Sequence, residues 1–162
     1  MLLSAFTLFH VLISLVGIGS GFVVLYGFLA SKKFDGWTSL FLWTTVATSV
    51  TGFLFPVHKF LPSHAVGLLS LLILGIAIYA RRNRHLMRAW GRTFAAMSVL
   101  ALYFNVFVLV VQLFQKVPFL RELAPTQSEP PFQVAQLAVL VFFIAVGILA
   151  TVRFRGETLR TA

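Results

Sequence analysis

Five long apolar runs, separated by short connections that hold most of the charge, constrain this chain more than any other feature. Each run reaches or approaches the roughly 20 residues that a helix rising about 1.5 Å per residue needs to cross about 30 Å of hydrocarbon. The composition agrees, since 59% of the residues are hydrophobic and 10% are charged. We therefore predict an all-α, polytopic integral membrane bundle, with residues 1–162 forming one transmembrane domain. The predicted helices cover residues 4–30, 37–57, 63–80, 93–115 and 132–152.

The basic residues predict how the helices are oriented. The chain holds 13 Lys and Arg against four Asp and Glu, and short loops rich in Lys and Arg stay on the cytoplasmic side. With the N-terminus outside, ten basic residues fall inside: Lys32, Lys33, Arg81, Arg82, Arg84, Arg88, Arg92, Arg153, Arg155 and Arg160. Three fall outside: Lys59, Lys116 and Arg121. We expect an N-out, C-in protein of a bacterial inner membrane, whose basic residues meet the lipid bilayer rather than nucleic acid.

Two connections have a distinctive composition. Residues 81–92, RRNRHLMRAWGR, form a basic inner loop that is typical of a topology signal, with lipid or partner recognition as the alternative. Residues 116–131 form an outer loop whose four prolines disfavour a helix across it. This loop carries Glu122 and Glu129, and it either caps the bundle or is a simple spacer.

The histidines lie at similar predicted depths although they are far apart along the chain. Counting about 20 residues outward from the basic end of each helix puts His10 near the outer boundary and His64 about one turn inside it. His58 falls just beyond the second helix, in the stretch FPVHKFLPSHAVG at residues 55–67. His85 belongs to the basic inner loop and is given no role. Three of the four histidines are therefore expected near the outer surface.

Three amide side chains in the last two predicted helices are also expected in the outer part of the bundle. Gln112 is predicted at the outer boundary, Gln136 about one turn below it, and Asn105 roughly 10 Å beneath the boundary. An unpaired amide or imidazole that faces lipid costs several kcal/mol, so these groups should point into the bundle. The helical phase of His10 with Ser14, Gly17 and Gly21 supports an inward face. The sequence therefore predicts a polar pocket formed by His10, His64, Asn105, Gln112 and Gln136.

Several function classes are excluded by what the sequence lacks. The chain has no cysteine, so thiolate catalysis, disulfides and iron–sulfur ligation by Cys are excluded. It has no P-loop, no G-x-S-x-G and no H-E-x-x-H pattern. No carboxylate lies within a predicted helix, which argues against proton-coupled transport. Whether the chain is an enzyme is left open.

A redox cofactor is the first hypothesis for the pocket. His10 and His64, on two helices at one depth, with Gly17, Gly21 and the HAVG stretch nearby, resemble the histidine-on-helix arrangement of membrane b-type cytochromes. That resemblance implies a haem b with His10 and His64 as axial ligands and the glycines against its ring.

Two other ligands compete with haem. A zinc or copper ion held by His10, His58 and His64, with Glu122 or Glu129 added from the outer loop, would suit three imidazoles and an open position. A quinone or similar amphipathic molecule would explain the amides better than haem does, because they can bond its carbonyl groups.

The alternative function is a structural or accessory subunit of a membrane complex, or a homo-oligomer, whose polar residues only fasten helices together. The run from Tyr103 to Gln136, YFNVFVLVVQLFQKVPFLRELAPTQSEPPFQVAQ, is similar to small multi-pass inner-membrane proteins of bacteria. That likeness implies a membrane location and no particular activity.

Overall fold

A computed structural model gives the structure of residues 2–55, 62–87 and 89–154. These residues form six helices and no strands. The helices are α1 (Leu2–Leu29), α2 (Asp35–Gly52), α3 (Pro62–Arg82), α4 (Ala89–Lys116), α5 (Pro118–Leu123) and α6 (Pro130–Arg153). The all-helical prediction is confirmed, and the five long helices correspond to the five apolar runs.

Four of these helices are long and apolar enough to cross a membrane within the described residues. The candidate spans are Ser4–Leu29, His64–Arg82, Ala89–Lys116 and Pro130–Arg153. They belong to α1, α3, α4 and α6, and they fit a helical membrane bundle. The remaining long helix, α2, has 18 residues and is rich in Thr and Ser.

Helices α1 to α4 follow one another around a four-helix bundle. Helix α1 packs against α2 and α4, and α3 packs against the same two helices. Helix α6 packs on the outside of the bundle, against α4 and α1. Helices α1 and α3 are consequently diagonal neighbours, as are α2 and α4.

The two ends of the bundle differ in chemistry. At the basic end, Arg81 of α3 binds Asp35 at the start of α2, and Ser31 after α1 donates to the backbone carbonyl of Arg153. At the opposite, histidine end, His10 of α1 contacts Thr51 near the end of α2. Helix α2 therefore runs alongside α1 from one end of the bundle to the other, which is about 27 Å for its length.

Most of the buried apolar core lies in the basic half of the bundle. It is formed by residues such as Phe28, Phe41, Leu74, Phe94 and Leu102, each at most 3% exposed. Many residues of the histidine half, including His10 and Asn105, are only half-buried.

The outer loop contains one short helix. Residues 118–123 form α5, so a helix occupies part of the loop but does not run across it. Pro118 lies at the first helical positions of α5, and prolines also open α6, where a missing N–H costs nothing and the fixed φ suits the helix. The prolines therefore start helices in this loop.

Helix α2 ends earlier than predicted, at Gly52 instead of residue 57. The amide groups of Phe53 and Leu54 donate to Val50 and Thr51 three residues back, at 3.1 Å each, so the helix tightens and stops. Residues 53–55 then leave the helix at the level of the histidines.

Candidate functional site

His10 is held in one orientation by α2. Its Nδ1 lies 2.8 Å from Thr51 Oγ1, and the Thr51 hydroxyl donates to the Ala47 carbonyl at 2.7 Å. A hydroxyl has only one proton, so while Thr51 donates to Ala47 it can only accept from His10, and in that arrangement Nδ1 carries the ring proton. Nε2 of His10 is then a free acceptor, and it makes no hydrogen bond within the described residues.

Aromatic rings form the wall beside His10. The Phe55 ring stands edge-on to the imidazole, with centroids 5.1 Å apart, and Phe6 packs on Phe55 at 4.9 Å. The other side of the imidazole lies near Gly52, where a Cβ atom would be 3.8 Å from His10 Cε1. The sequence offered no signal for Phe55, because it is one of 18 phenylalanines in the chain.

His64, on a different helix, contacts the segment of residues 51–55 that also contacts His10. It lies in the first turn of α3, half-buried, and its ring is 5.6 Å from the Phe53 ring. His10 and His64 therefore both contact residues 51–55, although 54 positions separate them in the sequence. His58, the third predicted ligand, lies outside the described residues.

The segment 51–55 contacts both helices that carry the histidines. Thr51 and Phe55 contact His10 of α1, whereas Phe53 contacts His64 of α3. The structure therefore brings His10 and His64 to one segment, through different residues of it.

The glycines assigned to a haem ring are already covered by side chains. A Cβ at Gly67 would be 3.2 Å from the Phe53 ring, and one at Gly17 would be 3.2 Å from Thr44 Oγ1. At Gly21 the distance to Leu102 Cδ1 would be 2.5 Å. In this structure these glycines serve close helix packing, and a haem against them stays a prediction.

Asn105 forms a separate contact, deeper in the bundle. Its Nδ2 donates to Thr45 Oγ1 at 3.2 Å, and Thr45 is fully buried. Thr45 precedes Thr51 by six residues, which is about 9 Å along α2. Asn105 therefore joins α4 to the diagonal helix α2, well below the level of His10.

The two glutamines are not hydrogen-bonded to the histidines either. Gln136 Nε2 donates to the Phe107 carbonyl at 3.2 Å, which joins α6 to α4, and its Oε1 is buried without a partner among the described residues. Gln112 is exposed on α4. The predicted pocket residues are thus divided among the histidine end and two interhelical contacts.

The outer loop folds onto the end of α4. Gln127 Nε2 donates to the Val111 carbonyl at 3.1 Å, and Phe132 packs edge-on against Phe114 at 5.3 Å. These contacts tie the second half of the loop and the start of α6 to α4.

The two acidic residues of the loop differ in their contacts. Glu129 accepts hydrogen bonds from the Thr126 backbone and hydroxyl and from the Ser128 backbone. Desolvation raises the pKa of the Glu129 carboxyl, but these hydrogen bonds outweigh it and lower the pKa below its ordinary value. Glu122 is exposed.

No protein-family model, curated protein or solved structure matches this chain. The candidate site is therefore argued from its own geometry. Across the described ranges 2–55, 62–87 and 89–154, no three His, Asp or Glu side chains gather closely enough to hold a metal ion.

Proposed function

We propose that this chain is an integral membrane protein that binds a small amphipathic molecule bearing a hydroxyl group, of the quinol class, at His10. The observation that carries the proposal is the orientation of the imidazole, since Thr51 engages Nδ1 and leaves Nε2 as an acceptor. An acceptor of this kind pairs with the O–H of a quinol, and the rings of Phe6 and Phe55 offer an apolar wall for the ligand ring.

A five-span topology supports access for such a ligand. Helix α2 accompanies α1 along the bundle, so counting it as a span gives five crossings and puts the termini on opposite sides. The positive-inside rule then places the basic end in the cytoplasm and the histidine end at the outer leaflet of a bacterial inner membrane. A quinol dissolved in the bilayer would reach His10 laterally, through the half-buried part of the bundle.

Haem b and a zinc or copper ion are supported less well by the same contacts. A haem with two axial imidazoles needs both on opposite faces of one ring, whereas His10 is engaged by Thr51 and His64 packs on Phe53. A metal centre needs three or four converging ligands. Nε2 of His10 can accept a single hydrogen bond from a quinol, which requires neither a second axial histidine nor further metal ligands.

The test compares the hydroxyl and carbonyl forms of one probe. Purified full-length protein in detergent is titrated with ubiquinol-1 under argon and with ubiquinone-1, while tryptophan fluorescence and the thermal unfolding temperature are followed. We expect ubiquinol-1 to bind several-fold more tightly than ubiquinone-1, because only the quinol donates to Nε2. Equal binding of the two forms, or none, would contradict the proposal.

Two variants of α2 make the test specific. Thr51→Val removes the group that orients His10 and should weaken ubiquinol-1 binding about five-fold, the value of roughly one hydrogen bond. Thr44→Val is the matched control, because the Thr44 hydroxyl donates only to the Leu40 and Phe41 carbonyls of its own helix. His10→Phe should abolish the preference for the quinol form.

The absorption spectrum of the same sample tests the other ligands. A Soret band that is lost in His10→Ala and in His64→Ala would establish haem instead, and stoichiometric zinc or copper in a colourless sample would establish a metal centre. Either result would replace the quinol proposal.

A second candidate function is an accessory subunit in which the polar residues only join helices. The interhelical bonds from His10 to Thr51, Asn105 to Thr45 and Gln136 to the Phe107 carbonyl favour it. This function predicts that substitution of any of these polar groups lowers stability, that no ubiquinol or ubiquinone binds, and that the protein co-purifies with a larger membrane complex or as a homo-oligomer.

A further inference from the structure

The short helix α5 of the outer loop presents apolar side chains at the surface of the protein. Phe119 is 67% exposed and Leu123 is 43% exposed. They are four residues apart, so they lie on the same side of the helix. At about 100° per residue, Arg121 lies about 160° from each of them, and it is exposed as well. Helix α5 is therefore amphipathic, and Phe119 with Leu123 forms what we call the α5 face.

Helix α5 does not continue the axis of α4. Between Lys116, the last residue of α4, and Pro118, the first of α5, Val117 is extended, with φ −84° and ψ 117°. A residue before proline avoids the helical region, and proline itself is well suited to open a helix. One extended residue between two helices turns the chain, so α5 leaves the end of α4 in a new direction.

The far end of α5 is fixed to α4 as well. Ala124, which follows α5, is 1% exposed, and its amide donates to the Leu120 carbonyl at 3.2 Å. Three residues later, Gln127 donates through Nε2 to the Val111 carbonyl at 3.1 Å. The chain thus returns to α4 directly after α5. Both ends of α5 are attached to one helix, and the α5 face is held outward by a fixed backbone.

The level of α5 along the bundle corresponds to the headgroup layer of a bilayer. Counting from the basic end of α4 puts the boundary of the hydrocarbon near Gln112. Val117 lies five residues further along the chain, which is about 8 Å on a helix. The headgroup layer on one side of a bilayer is about 5–8 Å thick. Because Gln127 turns the loop back to Val111, α5 stays within reach of this layer.

An exposed apolar strip of α4 leads to the start of α5. Leu113 is 39% exposed and Val117 is 37% exposed. The Val117 amide donates to the Leu113 carbonyl at 2.9 Å, so the two residues lie one turn apart on the same side. Leu113 belongs to the candidate span Ala89–Lys116, and an exposed apolar side chain of a membrane span contacts lipid. The surface next to the α5 face is therefore lipid-facing.

We propose that α5 is an interfacial anchor whose face inserts into the lipid leaflet at the histidine end of the bundle. Amphipathic segments that lie in the interface bury their apolar side about 5–10 Å into the boundary between headgroups and acyl chains. Arg121, on the opposite side, then remains among the headgroups, where its guanidinium can meet lipid phosphate. Two apolar side chains are sufficient because α4 and α6 already hold the loop at the membrane. The anchor depends on α4 spanning the bilayer and is independent of quinol binding at His10.

Single spin labels can test this insertion in the full-length protein. The chain has no cysteine, so Phe119→Cys carries one nitroxide without background labelling. The labelled protein is reconstituted in phosphatidylcholine vesicles, and power-saturation electron paramagnetic resonance measures its collisions with oxygen and with a water-soluble nickel chelate. We expect the label at residue 119 to lie about 5–10 Å below the phosphate level and to favour oxygen. Leu123→Cys is the second variant of the same face and should give the same result.

Two control positions calibrate the measurement. Arg121→Cys places the label on the same helix and on its opposite side, and this label should lie at or above the phosphate level and favour the nickel chelate. Leu137→Cys is the reference for a residue that faces acyl chains, because Leu137 is 60% exposed on α6. Circular dichroism verifies the helix content of each labelled variant.

Three results would overturn the proposal. Equal collision with the nickel chelate at residues 119 and 121 would mean that α5 stands in water. Exclusion of both reagents from the label at residue 119 would mean that protein covers the α5 face, either residues 56–61 of this chain or another subunit. Dipolar broadening between labels at residue 119 would show that a second copy of the chain occupies it.

Discussion

Gly21 of α1 lies against side chains of both α2 and α4, and Gly21→Ala tests the packing of these three helices. A Cβ there would lie 2.5 Å from Leu102 Cδ1 and 2.9 Å from Phe41 Cε2. Favourable carbon–carbon contacts are about 3.5–4.0 Å, so the overlap is about 1 Å. Leu102 and Phe41 are each 1% exposed, and neither can swing into an open space.

The expected cost follows from two opposing effects. Overpacking a dense core by one methyl group costs about 1–3 kcal/mol, while replacing Gly by Ala within a helix gains up to about 1 kcal/mol. We expect Gly21→Ala to lower the free energy of unfolding by about 1–2 kcal/mol. The assay is SDS-induced unfolding in detergent micelles, followed by far-ultraviolet circular dichroism.

Gly19→Ala is the control on the same helix, since a Cβ at Gly19 meets nothing within 4 Å. It should leave the free energy of unfolding unchanged or raise it by up to about 1 kcal/mol. Shortening the obstructing side chain with Leu102→Val should reduce the penalty of Gly21→Ala. Equal stability of Gly21→Ala and Gly19→Ala would refute the inferred close contact of the three helices.

Three further predictions concern other contacts. The hydrogen bond between Asn105 and Thr45 should give a coupling free energy of about 0.5–1 kcal/mol in a double-mutant cycle with Asn105→Leu and Thr45→Val, measured in the same assay. Strictly additive effects of the two substitutions would mean that this bond does not exist. Gly27→Ala should destabilise the protein, because a Cβ at Gly27 meets the Lys32 carbonyl. Gly75→Ala is the control and should not, since a Cβ at Gly75 meets nothing within 4 Å. A higher melting temperature for Gly27→Ala than for Gly75→Ala would rule out the close packing of the turn after α1 on Gly27. Since hydrogen bonding lowers the pKa of Glu129 below its ordinary value of 4.5, its ionised form adds stability above that pH and loses it as the pH falls through the lowered pKa. The wild type should therefore melt above Glu129→Gln near neutral pH, with the difference vanishing in acid, and a difference independent of pH would show that the carboxylate charge is irrelevant.

The apolar runs were sufficient to predict the helices, because a helix in hydrocarbon must satisfy its backbone internally and needs a minimum apolar length. The relative depths of His10 and Asn105 along the bundle could also be predicted from the sequence. His10 meets Thr51 while Asn105 meets Thr45, about 9 Å farther along α2, which agrees with the count from the basic ends. Thr51 bonds both to the backbone of its own helix, at Ala47, and across to His10 of α1.

The sequence determined that this chain forms long apolar helices and at what level along them each polar group lies, because the rise per residue is fixed by backbone hydrogen bonding. Only the tertiary structure decided which residues of the segment 51–55 each histidine contacts, that Phe53, Thr44 and Leu102 fill the space over the glycines, and that Asn105 reaches α2 across the bundle. Those features depend on how the helices are rotated and which neighbours they meet. Rotation and neighbours are set by side-chain packing between distant parts of the chain, and the local pattern carries no record of them.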